Sequence, residues 1–93
     1  MNNFYAIAIA DPSPRMTETY MFHEGTYKSA VSAARAAWRE HGRSVCVFGA
    51  NRPRSETDRP VPQTYYWHRI SRDGSFVDRN TNSGVAESGT LAA

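Results

Sequence analysis

The sequence predicts an α+β domain with elements in the order ββαββ: an antiparallel sheet of four or five strands with one helix packed on one face. Three observations carry that prediction. Apolar residues recur at helical spacing in one stretch only, Thr26 to His41. Short runs of β-forming residues flank it on both sides. Tight turn signals, Asp11-Pro12-Ser13-Pro14 and Asp73-Gly74, separate neighbouring runs closely enough for hairpins.

Phe4 to Ala10 reads as a buried central strand. Phe4, Ala6 and Ala8 fall on one face and Tyr5, Ile7 and Ile9 on the other, so both faces are apolar. Thr17 to His23 alternates and fits a strand returning antiparallel to the first. In the helix, Tyr27, Ala30, Val31, Ala34, Ala37, Trp38 and His41 form one face, and Lys28, Ser32, Arg35 and Arg39 form a basic stripe opposite. Thr26 is placed to cap the helix start, and Gly42 to end it in the left-handed conformation. Ser44 to Phe48 and Thr64 to Ser71 are further strands, and Ser75 to Asp78 is a short return strand after Asp73-Gly74. Residues 50–63 read as a long polar loop with Pro53, Pro60 and Pro62. Residues 1–79 then form a single domain, and 80–93, without periodicity, read as a flexible tail.

Composition narrows the class. A chain of 93 residues that is 40% hydrophobic and 12% aromatic builds one core and no more. The longest apolar stretch is far short of the ~18 residues that span a bilayer, so a cytoplasmic protein with no membrane partner is expected. Cys46 is the only cysteine, which rules out an intramolecular disulfide and thiolate-rich zinc sites. The net charge of +2 arises from ten arginines and one lysine against nine acids. Arginine suits contacts with carboxylates and phosphates, and a GC-rich genome also raises its count.

No motif for catalysis, metal or cofactor appears. Cys46 lies between Val45 and Val47, where cysteine acts as a small hydrophobe. His23, His41 and His68 are 18 and 27 residues apart, without metal-ligand spacing. The acids sit in turns and loops or beside arginines, and no glycine-rich phosphate loop is present. The expectation is a protein that is not an enzyme, with no cofactor and no metal.

Three surfaces remain for a partner. One is the helix stripe Lys28, Arg35 and Arg39, extended by Arg43. Another is the loop with Arg52, Arg54 and Arg59, whose mixed charge suits a protein surface. The last is Tyr65-Tyr66-Trp67-His68-Arg69, from which Tyr66, His68 and Arg69 are the contact candidates. Alternation puts Tyr65, Trp67 and Arg69 on one side and Tyr66, His68 and Ile70 on the other. Tyr, Trp and Arg anchor protein interfaces, and aromatic sheets with arginines also bind single strands. The expected function is protein binding, with an inhibitor of a bacterial defence complex (anti-CRISPR type), carried by a phage or mobile element, as a concrete instance. The alternative is weak nucleic-acid binding through the helix stripe and the aromatic strand. A homodimer formed on the uncovered sheet face is compatible with either.

Overall fold

A computed structural model describes residues 3–9, 20–51 and 62–92. Its elements are β1 (Asn3–Ile9), β2 (Tyr20–Gly25), α1 (Tyr27–His41), β3 (Val45–Ala50), β4 (Pro62–Ile70), β5 (Ser75–Asp78) and β6 (Glu87–Thr90). The strands form one open sheet in the order β2-β1-β3-β4-β5-β6. Every neighbouring pair is antiparallel. The α+β class, the antiparallel sheet and the single helix on it agree with the sequence reading. The strand count differs: the described residues form six.

The sixth strand comes from the segment read as a tail. Glu87-Ser88-Gly89-Thr90 has no bulky side chain to announce a strand, yet it pairs along the whole of β5. Gly89 belongs there because the Phe76 ring lies against it: a Cβ at Gly89 would sit 2.8 Å from that ring. Beyond β6, Leu91 donates its N–H to the carbonyl of Gly74 at 2.8 Å and packs on the margin of the core. The partner-binding candidates Arg52, Arg54 and Arg59 lie outside the described residues, as does the Asp11–Pro14 turn.

Strands β2 and β3 both run antiparallel to β1, on its two sides. The β2-α1-β3 connection therefore crosses over β1 and lays the helix on the sheet. The contact is made by the predicted apolar stripe: Ala30, Val31, Ala34, Ala37 and Trp38 are all buried. Against them stand Tyr5 and Ile7 of β1, Val45 and Val47 of β3 and Ile70 of β4. Alanines let the helix approach closely, while Trp38 closes one end and donates its indole N–H to the Arg72 carbonyl at 3.1 Å. No helix among the described residues is long and apolar enough to cross a membrane.

The helix termini follow their sequence signals. Thr26 Oγ1 accepts the Ser29 N–H at 3.1 Å, and Gly42 takes φ 63° while its N–H bonds the Trp38 carbonyl. At the other tight turn Gly74 has φ 92°, and Asp73 accepts from both the N–H and the hydroxyl of Ser75. The two glycines face different surroundings. A Cβ at Gly42 meets nothing within 4 Å, whereas one at Gly74 falls 2.9 Å from the Leu91 carbonyl and from the Trp38 ring.

Backbone strain alone therefore sets the effect at Gly42, and strain plus crowding sets it at Gly74. In urea unfolding, Gly42→Ala should cost about 1 kcal/mol. Gly74→Ala should cost about 3 kcal/mol or more, because the Trp38 ring must also shift. Equal losses would show that the turn does not hold Trp38 as described.

Candidate partner-binding face

The two sides of the sheet differ in kind. Pairing registers put Tyr5, Ile7, Val45, Val47, His68 and Ile70 on the helix side. On the other side, one row across four strands reads Phe22, Ala6, Phe48 and Tyr66. Phe4, one row along, stacks on Phe22 with centroids 6.1 Å apart and planes at 30°. Neighbouring strands lie about 4.8 Å apart, so Phe48 and Tyr66 adjoin on one side of the low point at Ala6, and Phe22 and Phe4 on the other. No described helix or strand covers these rings, and Phe22 is 40% exposed.

The next row carries the charge. Ala8, Cys46, Arg69, Val77 and Ser88 lie side by side from β1 to β6. Arg69 is half-buried between Cys46 and Val77. Burial pushes the Cys46 thiol above its ordinary range, opposed by the nearby Arg69 charge, so this cysteine is no activated nucleophile. Arg79, just past β5, places its guanidinium carbon 4.8 Å from the centre of the Tyr66 ring and 6.0 Å from that of Tyr65.

Tyr66 and His68 were expected to share a face, and they do not. In β4, Val47 pairs with His68 but the next residue, Phe48, pairs with Tyr66, so Trp67 is bulged out of the ladder. The extra residue reverses the alternation, sending Tyr66 to the face opposite the helix with Arg69, and His68 beneath the helix. The Trp67 carbonyl accepts the Arg79 N–H at 2.7 Å and shares the single proton of the Tyr27 hydroxyl, 3.2 Å away, with Asp78. No glycine or proline marks the spot, so residue alternation alone misplaces it.

His68 is accordingly a core residue with 0% exposure, and a ring with no accessible surface touches no partner or substrate. It stacks on Phe76 at 5.5 Å, and its Nδ1 lies 3.4 Å from Asp78 Oδ2, too long and poorly aimed for a hydrogen bond. Asp78 instead accepts from the Tyr27 hydroxyl at 2.8 Å. Burial, and then that bond, push the Tyr27 phenol well above its ordinary range.

Arg35 also departs from its expected place. It leaves the helix stripe and lays its guanidinium over the Phe76 ring, 5.3 Å from the centroid, with Nε buried. A long apolar stem and the π face of Phe76 draw it inward. Lys28, Arg39 and Arg43 remain exposed. The outer surface of the helix thus carries a thinner stripe than the sequence spacing implies.

No family model, curated protein or solved structure matches the chain. Among the described residues no group of three or more His, Cys, Asp or Glu is arranged to hold a metal ion. His23 and His68 sit on strands separated by β1 and β3, about 14 Å apart at ordinary strand spacing. His23 bonds the Ser29 hydroxyl at 2.8 Å instead.

The buried imidazole makes stability depend on pH. Burial lowers the His68 pKa below its ordinary 6.5, with the Arg35 charge acting the same way and Asp78 against them. The unfolded chain therefore takes up the proton first, and stability falls as pH drops from the ordinary histidine range through the folded value. One proton limits the slope to about 1.4 kcal/mol per pH unit. Denaturant unfolding across this range should show the loss in the wild type and a flatter profile in His68→Leu. An unchanged profile in the variant would place the titrating group elsewhere.

Proposed function

We propose that the protein is a non-enzymatic binding module that docks a protein partner on the sheet face opposite its helix. The observation that carries this reading is the strip of Phe22, Phe48 and Tyr66 with Phe4, edged by Arg69 and Arg79, on a face that no described element covers. Aromatic side chains anchor protein interfaces because they bury large areas at small entropic cost, and arginine adds a directional charged contact. Here Phe22 is exposed and Phe4, Phe48 and Tyr66 are half-buried, and apolar surface gathered on one face favours a contact role. The finer reading, an inhibitor of a bacterial defence complex carried by a phage or mobile element, rests on small size and on the lack of a catalytic motif.

Direct nucleic-acid binding through the helix is the weaker proposal. With Arg35 turned to Phe76, the stripe offers Lys28 and Arg39, extended by Arg43. So few phosphate contacts give low, salt-sensitive affinity. A symmetric dimer is the competing occupant of the sheet face.

Affinity capture from bacterial lysate with the immobilised full chain separates these readings. Phe22→Ser and Arg79→Ala should each reduce recovery of a specific protein partner about tenfold, while Lys28→Ala/Arg39→Ala should leave it unchanged. Circular dichroism checks that each variant is folded. Loss of the partner only in the helix variant, or a wild-type chain that light scattering shows to be a dimer and that recovers no partner, would overturn the proposal.

A further inference from the structure

The sheet face opposite the helix changes character at β4–β6. There a groove of about 470 Å³ is lined by Tyr66, Arg69, Ser71, Ser88 and Thr90, together with Phe76, Val77, Gly89 and Ser75. Ser75 is already committed, since it donates its hydroxyl to Asp73 at 2.7 Å. The side chains of Tyr66, Ser71, Ser88 and Thr90 supply neutral donors around a single cation. No acidic residue among the described ones lines the groove, and Arg69 has no carboxylate partner among them. A half-buried guanidinium with no carboxylate partner among the described residues, in a groove that hydroxyl-bearing residues also line, is complementary to an anion.

We infer that this groove receives a glutamate or aspartate side chain of the protein partner, with Arg69 as its counter-ion and the Tyr66–Phe48 strip taking an apolar residue beside it. The inference rests on the protein-binding reading and names the chemistry of the partner. Two features favour a carboxylate on a protein over a nucleic-acid backbone. Single strands are held by basic grooves that track many phosphates. Here Arg69 and Arg79 are joined on the same face by Glu24, paired with Phe4 in the β2–β1 register. One discrete anion pocket next to an aromatic strip fits an acidic residue followed by an apolar one.

The test is a chemical-shift titration of the ¹⁵N-labelled full chain with the capped dipeptide N-acetyl-Glu-Phe-amide. Its controls are N-acetyl-Gln-Phe-amide and an oligodeoxythymidine. The glutamate dipeptide should shift the amides of Ser88, Gly89 and Thr90 and the Arg69 Nε–H in a saturable manner at millimolar concentration. Arg69→Gln, with its spectrum otherwise intact, and the glutamine dipeptide should each weaken the effect about tenfold. Equal binding of both dipeptides, indifference to Arg69→Gln, or shifts confined to Lys28 and Arg39 would overturn the inference. So would saturable, steeply salt-dependent binding of the oligonucleotide in this groove at far lower concentration. Failure of the groove remains distinct from failure of the protein-binding reading. Partner capture that falls in Phe22→Ser but survives Arg69→Gln sinks the groove alone. Dipeptide binding with no captured partner sinks the reading alone.

Discussion

The backbone carbonyl of Trp67 is the point on which the two faces of the molecule depend. A bulge leaves this residue outside the β3–β4 ladder, and a bulge persists only where its freed backbone groups find partners. Here the partners come from two separate elements, the Arg79 N–H at the end of β5 and the Tyr27 hydroxyl on the first turn of α1. The Arg79 bond contributes about 1 kcal/mol net and the Tyr27 contact, whose proton is shared with Asp78, less; their joint effect is geometric rather than energetic. They tie the helix and the β5 end to one position of β4 and thereby decide which aromatic residues go under the helix and which stay outside.

From that point the rest follows. Below the bulge, His68 and Ile70 enter the core, where Phe76 and Arg35 close over the flank of the sheet. Above it, Tyr66 joins Phe48 and Phe22 on the opposite side, and Arg79, placed by its own N–H bond to Trp67, covers one face of the Tyr66 ring. The polar cluster of Tyr27, Asp78 and His68 is thus structural. It satisfies the bulge and binds helix to sheet, at the cost of an imidazole whose protonated form is disfavoured.

What was legible in the sequence, and what was not, divides along physical lines. Local periodicity is written in side-chain spacing, so the apolar stripe of α1, both faces of β1, the Thr26 and Gly42 caps and the Asp73-Gly74 turn all appear where the residues place them. Long-range pairing is not. β6 is held by backbone bonds to β5 and carries only small or charged side chains, so nothing in Glu87–Thr90 marks a strand; Gly89 is explained only once Phe76 is seen against it. The bulge at Trp67 lies in an unbroken aromatic run, and its cause sits on other elements. Alternation therefore grouped Tyr66 with His68 when the fold sets them apart. Arg35 is misplaced for a similar reason, because its attraction to Phe76 crosses from helix to sheet. Of the candidate contact residues, Tyr66 and Arg69 come together on the sheet face opposite the helix, Lys28, Arg39 and Arg43 lie on the exposed helix side, and His68 is in the core.

The central claim is the opposition of Tyr66 and His68 across the bulge, because the proposed contact face depends on it. Nuclear Overhauser effects from the two rings measure it directly in the wild-type chain. The Tyr66 ring should show contacts to Phe48 and Arg79 and none to the alanines of α1, while the His68 ring contacts Phe76. Contacts from both rings to Ala30 and Ala34 would mean a regular β4 with no bulge, and would contradict the account.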